Sequence, residues 1–319
     1  MTAVDRLSVN LEQGAVNILL GTSGCGKTTC LKLINRLIEP SSGRITINGE
    51  NVKEISPEVL RRKIGYVIQS IGLFPHMTVG ENIGIVPELL HWPKDRILSR
   101  VHELLEMVAL DPCVNRDKYP RDLSGGEAQR VGVARALAGD PDVLLMDEPF
   151  AAVDPITRKH LQMHLLQLQK SLHKTIVFVT HSIDEAILLG DMILLMKEGH
   201  LVQMDTPEQL LAHPVNAFVE DFLGEDRLIK RLMCFPVAHI LWPHIEGDFQ
   251  NVFGSGDESA MNQSSDYTMG ELVTDSDSVQ MALMNMLKSG KKHLPVQGSG
   301  GEIIGSVYLE DLMNMNASG

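Results

Sequence analysis

Residues 16–29 read Val-Asn-Ile-Leu-Leu-Gly-Thr-Ser-Gly-Cys-Gly-Lys-Thr-Thr, a mostly apolar run that ends in a glycine-rich turn. Val16 to Leu20 has the length and composition of a buried strand, and Leu31, Leu33, Ile34, Leu37 and Ile38 recur at helical spacing behind the turn. Between them stand Gly21, four residues, and then Gly26-Lys27-Thr28. Glycines let successive backbone N–H groups converge on phosphate oxygens, and a helix start adds its positive dipole end. Gly21, Ser23, Gly24, Cys25, Gly26, Lys27, Thr28 and Thr29 therefore form a candidate cradle for a nucleoside triphosphate. Lys27 suits the β and γ phosphates, and the Thr28 hydroxyl suits Mg²⁺.

Working outward, 319 residues allow a nucleotide-binding core and a smaller second domain. A net charge of −13 and a pI near 5.4 argue against broad nucleic-acid binding, which requires a basic surface. The four cysteines, Cys25, Cys30, Cys113 and Cys234, have neither paired nor metal-binding spacing, and Cys25 lies inside the cradle; this fits a reducing cytosol. No apolar run is long enough to span a bilayer and the N-terminal stretch lacks a signal-peptide core, so a membrane role is expected to come through a partner.

Residues 4–11 alternate like a half-exposed strand, and 44–47 followed by Asn48-Gly49 reads as a strand and hairpin turn. Further strands are expected at 64–68, 143–146 and 175–179, with helices over 87–111, from Ser124, and over 157–172. Strands alternating with helices after a phosphate cradle predict a mainly parallel sheet covered on both faces, with ligands at the carboxyl ends of its strands. Two carboxylates emerge at such an end in Val143-Leu144-Leu145-Met146-Asp147-Glu148. Asp147 suits Mg²⁺, and Glu148 suits polarisation of an attacking water. Ser124 and Glu127 have capping-box spacing, while Gly125 and Gly126 leave the helix start open to a phosphate.

Leu-Ser-Gly-Gly-Glu-Ala-Gln-Arg (123–130), some twenty residues before the acidic strand, resembles the signature motif of ATP-binding cassette (ABC) ATPases. The resemblance covers roughly residues 4–223. It implies a P-loop ABC-type α/β fold: a mainly parallel sheet with antiparallel β and helical subdomains. Gln69 resembles the glutamine that helps bind Mg²⁺ and senses the transmembrane partner, Asp154 the aspartate of the D-loop, and His181 the switch histidine on the γ-phosphate. The same likeness implies a homodimer in which Ser124 and Gly126 of one subunit complete the ATP site of the other. It further implies an integral-membrane permease contacted near Gln69, for which residues 71–79 are the candidate surface. The cofactors would be ATP and Mg²⁺.

Narrower likeness lies in residues 31–40, 61–69, 71–76 and 146–150, which resemble ATPase subunits of importers for glycine betaine, carnitine, choline and proline. Such subunits sit on the cytoplasmic face of the cell membrane, and an extracytoplasmic substrate-binding protein and the permease are separate chains. Two departures accompany the likeness. The family has an additional strand and an adenine-stacking aromatic upstream of residue 4, and neither is found here, so weakened ATP affinity is expected. Glu127-Ala128 stands where many members carry glutamines, with little consequence expected while Ser124, Gly125 and Gly126 remain.

The expected organisation is residues 1–224 as the ATPase domain, 225–269 as a connecting helix and flexible acidic linker, and 270–319 as a small α/β CBS-like domain. That last assignment rests on the resemblance of Leu272 to Leu312 to a single CBS motif, a type that usually works in pairs and in related importers regulates transport. Lys288, Lys291 and Lys292 beside an acidic region raise an ionic-strength sensor as one reading of the tail, a solvated surface being the other. Met281, Met284 and Met286 are expected to pack in the core. Two alternatives to an osmoprotectant importer remain open: an ATPase for another solute, such as an amino acid, and an ATP-binding switch with little hydrolysis.

Overall fold

The computed structural model describes residues 2–69, 72–151, 153–243 and 272–314. It divides into two compact units, Met1–Thr206 and Pro207–Gly319. In chain order the first unit holds β1 (Val16–Gly21), α1 (Lys27–Ile34), the hairpin β2 (Thr46–Ile47) and β3 (Glu50–Asn51), α2 (Pro57–Lys63) and β4 (Ile64–Val67). Next come α3 (Val79–Leu89), α4 (Lys94–Met107), α5 (Pro112–Asn115) and α6 (Gly125–Leu137). Alternation then resumes with β5 (Val143–Asp147), α7 (Pro155–Leu172), β6 (Thr175–Thr180), α8 (Ile183–Leu189), β7 (Met192–Lys197) and β8 (His200–Asp205).

Six of these strands form one sheet in the order β4-β5-β6-β1-β7-β8, parallel except for the β7–β8 pair. Every residue of β1 is buried, as continuous apolar strands covered on both faces require. Register sets the functional edge: Asp147 pairs with Val179, Met146 with Val67, and Leu20 with Thr180. The carboxyl ends of β1, β4, β5 and β6 therefore finish at one rim of the sheet, where open α/β sheets hold their ligands.

Local chemistry moved several expected boundaries. Residues 4–11 form no strand: Val4, Leu7, Val9 and Leu11 do pack on the core, but the backbone bond made there is Asp5 N–H to the Gly199 carbonyl. Alternation reports which side is buried, not whether a neighbouring strand supplies a ladder. Helix α1 stops at Ile34, leaving Leu37 and Ile38 exposed. Arg36 turns into the left-handed region there, with its guanidinium bonded to the carbonyls of Val52 (3.0 Å) and Ile55 (2.6 Å). The helix expected from Pro87 begins at Val79 instead, because Thr78 and Glu81 cap it reciprocally, at 2.7 and 3.2 Å. Pro87 lies near its end, and α4 starts afresh after Pro93.

The second unit contains α9 (Pro207–Ala212), α10 (Ala217–Leu223), α11 (Arg227–Arg231), β9 (Trp242–Pro243), β10 (Val273–Thr274), α12 (Val279–Ser289), β11 (His293–Gln297), β12 (Ile303–Tyr308) and α13 (Leu309–Asn314). Its sheet runs β10-β11-β12-β9 over a core that includes Leu232, Val237, Val279, Met286, Leu294, Val296 and Val307. The boundary thus falls at Thr206 rather than Gly224, and residues 232–243, expected in a linker, supply core side chains and an edge strand. The remainder of that expected linker, 244–269, lies outside the described residues, as do 270–271 and 315–319 of the expected C-terminal domain. The methionine expectation holds for Met286 alone; Met281 and Met284 are exposed, since they lie on the opposite side of α12 from Val279, Ala282 and Met286.

Candidate active site

At the end of β1, Gly21 adopts φ +150°, and a Cβ there would strike the Met196 carbonyl oxygen and approach Cys25 Sγ to 2.8 Å. Gly24 and Gly26 follow at φ +78° and +107°. These left-handed positions wind the loop and are open to glycine without strain. Gly26 is the N-cap of α1 and offers no side chain to its first-turn amides, the arrangement in which an anion completes a helix start. Lys27, only 6% exposed, donates to the Gly21 and Thr22 carbonyls at 2.8 and 2.9 Å. Ser23 and Gly24 are exposed at the rim of the cradle, Cys25 and Gly26 are buried, and Thr28 and Thr29 are half-buried.

The Thr28 hydroxyl donates to Asp147 Oδ1 at 2.9 Å, joining the start of α1 to the end of β5. Burial pushes the Asp147 carboxyl above the ordinary range; the Thr28 hydrogen bond opposes that shift, and the Glu148 charge adds to it. On β4, the Tyr66 phenol is pushed up to about 12 by burial and by the Asp147 charge. The donor set of the Thr28–Asp147 pair fits a hard cation: a hydroxyl and a carboxylate touch in a partly desolvated place. Among the described residues no cluster of three or more His, Cys, Asp or Glu could hold a metal by itself. Mg²⁺ characteristically takes one or two protein oxygens and completes its shell with phosphates and water, and the Thr28 hydroxyl and Asp147 carboxylate offer two such oxygens.

Glu148 follows in the left-handed region at φ +43°, its N–H donating to the Val179 carbonyl at 3.0 Å. Such a conformation is uncommon for a residue with a side chain, and here it sets the direction in which the carboxylate leaves the end of β5. Here Oε2 accepts from Gln69 Nε2 at 3.4 Å and lies 3.3 Å from His181 Nδ1. Gln69, Glu148 and His181, far apart in sequence, thus meet around one carboxylate oxygen.

Ser124, Gly125, Gly126 and Asp154 form a second group. Ser124 and Glu127 cap α6 reciprocally at 3.3 and 2.8 Å, and those hydrogen bonds hold the Glu127 carboxyl below its usual range. Beyond Gly125 there is open space, whereas a Cβ on Gly126 would sit 2.6 Å from Thr157 Cγ2. Asp154 caps α7 through the Thr157 N–H at 3.1 Å. The hydrogen bonds described for Ser124 and Asp154 stay within their own helix starts, and the two starts approach one another where Gly126 lies against Thr157.

Sequence reasoning passed over several supporting residues. Thr180, Glu185 and Gln162 form a network behind His181, hidden in a segment that reads as an ordinary helix start. Asn82, fully buried, binds the Phe74 N–H and the carbonyls of Phe74, Met77 and Thr78, organising the expected permease-contact stretch as far as it is described, from Gly72 on. Its only outward signal is an asparagine inside an apolar helical pattern.

With this geometry in view, the relatives are informative. The ABC transporter family model matches residues 4–151. The glycine betaine uptake system ATP-binding protein YehX of Escherichia coli is 41% identical over 98% of this chain and 94% of its own length. The chain belongs to the family of ABC transporter ATP-binding proteins. Within that family it is 55% identical to the osmoprotectant import ATP-binding protein OsmV of Salmonella typhimurium, over 73% of this chain and 61% of the relative. It is 56% identical to the glycine betaine/carnitine/choline transport ATP-binding protein OpuCA of Bacillus subtilis, over 72% and 60% respectively. The matched region thus spans about 60% of the length of these two relatives. Among solved structures, the dimeric ATP-binding cassette MJ0796 bound to ADP and Pi superposes with a TM-score of 0.58 at 32% identity, covering 64% of this chain and 90% of that one. The fold is that of an ABC cassette.

Proposed function

We propose that this ABC protein is the ATP-hydrolysing motor subunit of an importer for glycine betaine or related quaternary-amine osmoprotectants. The observation that carries the hydrolytic part is the meeting of Gln69 and His181 at Glu148 Oε2, beside the Thr28–Asp147 pair. A carboxylate fixed by two neighbours next to a phosphate cradle has the position of a general base for water. Lys27 and the amides of the Gly21–Thr28 loop would bind the phosphates. Thr28, Asp147 and Gln69 would hold Mg²⁺, which when bound offsets phosphate charge. Glu148 would orient the water and take its proton, while His181 and Gln69 keep the carboxylate aimed.

A homodimer is part of the proposal. The open space at Gly125, at the start of α6, suits a signature helix that serves a second subunit's nucleotide. The solute class rests on the names of the relatives, since nothing in an ATPase chain touches the solute. Among the described residues no helix is long and apolar enough to cross a membrane. From the transport systems that the relatives' names describe, the proposal adds a separate permease, peripheral attachment at its cytoplasmic face, and a substrate-binding protein beyond it. The exposed ring of Phe74 and the neighbouring His76, 6.1 Å apart, are the proposed permease contact. The C-terminal unit is proposed as a CBS-like regulatory domain.

The test is Mg-ATP hydrolysis against protein concentration, alone and with the permease in vesicles, with Glu148→Gln as control. The expected result is turnover that rises steeply with concentration and falls at least about 100-fold in the variant. Folded protein that binds ATP without turnover in either setting would favour an ATP-binding switch.

A further inference from the structure

His181 is 65% exposed at its side chain, yet its Nδ1 stands 3.3 Å from Glu148 Oε2. An exposed ring holds such a position only if its backbone is fixed from behind. The fixing groups are on either side of it. The Thr180 hydroxyl donates to Glu185 Oε2 at 2.6 Å and accepts the Ser182 N–H at 3.0 Å. Ser182 Oγ in turn accepts the Glu185 N–H at 3.3 Å. The second carboxylate oxygen, Oε1, accepts from Gln162 Nε2 at 3.1 Å. Of the two residues flanking His181, Thr180 is therefore tied to the Glu185 carboxylate directly and Ser182 through the Thr180 hydroxyl and the Glu185 N–H.

The surroundings make those ties strong. Thr180 is 1% exposed and Gln162 7%, so neither can exchange its bond for water without opening the fold. At 2.6 Å the Thr180–Glu185 hydrogen bond lies at the short end of the O–H···O range. Gln162 adds a third element, because it belongs to α7, whose N-cap is Asp154. One side chain thus connects the end of β6, the start of α8 and the helix that carries Asp154.

We propose that Glu185 is a positioning residue for His181. It touches neither Glu148 nor the cradle in any described contact; it acts by holding the Thr180–Ser182 backbone so that the imidazole meets the Glu148 carboxylate. Through Gln162 the same carboxylate ties the position of His181 to α7, and so to the second group of residues at Asp154. For catalysis the proposal rests on the hydrolytic reading above, but its geometric content does not.

Two readouts keep them apart. The first needs no turnover: the full chain is labelled at histidine ¹³Cε1, and the His181 resonance is assigned by its loss in His181→Ala. In the native background Glu148→Gln is expected to move that resonance. In Glu185→Ala the same change should move it by less than about a third as much, because the ring no longer meets residue 148. An equal displacement in both backgrounds overturns the proposal. The second readout is kinetic: Glu185→Ala should lower kcat about tenfold or more, as small misplacements of catalytic groups do, with KM for ATP within about twofold. Glu185→Gln, which keeps one acceptor for Thr180, should recover part of that loss. An unchanged kcat, or a loss confined to KM, overturns the proposal. Should Glu185→Ala fail to fold, Gln162→Met in both readouts replaces it, with a smaller effect in the same direction expected and none overturning the proposal. Absence of turnover in the native chain would defeat the hydrolytic reading alone and leave the resonance test standing.

Discussion

Asp147 shows how a residue is set by competing terms. It stands where a cation and phosphates are proposed to bind, and alone it is a carboxylate that burial drives toward its neutral form. A carboxyl raised in the folded state makes stability fall as pH rises: both states are protonated well below the unfolded value of 3.8, the unfolded chain ionises first, and the deficit is complete above the raised native value. Asp147→Asn removes the charge and keeps the acceptor for Thr28. It should therefore melt higher than the native chain at pH 7 without nucleotide, by about 2–4 °C for each kcal/mol relieved. The advantage should vanish on acidification below pH 4, and Mg²⁺-dependent nucleotide binding should be lost. An Asn variant that melts lower at pH 7 would mean that burial is not the dominant influence on Asp147.

At the scale of elements, α6 has two demands on its first turn. Ser124 is a cap, so Ser124→Ala should destabilise by about 1 kcal/mol whereas Ser124→Asn should cost little. Gly126 is there for space as well as for any phosphate: a methyl at 2.6 Å from Thr157 Cγ2 requires α6 or α7 to shift. Gly126→Ala is accordingly expected to lose about 1–3 kcal/mol by chemical denaturation, and Thr157→Ser, which removes that methyl, should restore most of it. Recovery of stability without recovery of ATP turnover would separate the packing role of Gly126 from its part in a nucleotide site. The helix boundaries carry a related lesson. Thr78 and Glu81 form a capping box that competes with Pro87 as a start signal, and the reciprocal pair of hydrogen bonds prevails. Proline tolerates a helix start but does not impose one.

At the scale of the molecule, the two units have separate cores. Leu294, wholly buried among Val279, Val296 and Val307, belongs to the second. Leu294→Ala should lower one calorimetric transition by about 2–5 kcal/mol and leave the transition of the nucleotide unit unchanged. A single transition that shifts as a whole would mean that the units unfold together. The division at Thr206 also decides where a deletion should begin when the C-terminal unit is tested for regulation of transport: removal from residue 225 would take α11 and the whole core of that unit but leave its α9 and α10 behind, while removal from 207 takes the unit entire.

What the sequence determined by itself was local chemistry and its order along the chain. Gly21 to Thr28, the buried run ending in Asp147-Glu148, and Ser124 to Glu127 each declare their conformation locally, since a phosphate cradle and a capping box are satisfied by neighbours in sequence and an unbroken apolar run marks a strand covered on both faces. The hairpin at Asn48-Gly49 is of the same kind, both residues taking the positive φ that such a turn needs. Only the tertiary structure decided what depends on distant partners. Residues 4–11 alternate correctly yet form no strand, because a ladder needs another backbone. Met281 and Met286 share a helix and a composition, but which one is buried depends on where the sheet of that unit lies. Register of β4, β5 and β6 brings Gln69, Glu148 and His181 to one oxygen, and the Glu185 network closes behind them, because parallel pairing aligns strand ends that lie some 80 and 30 residues apart in the chain.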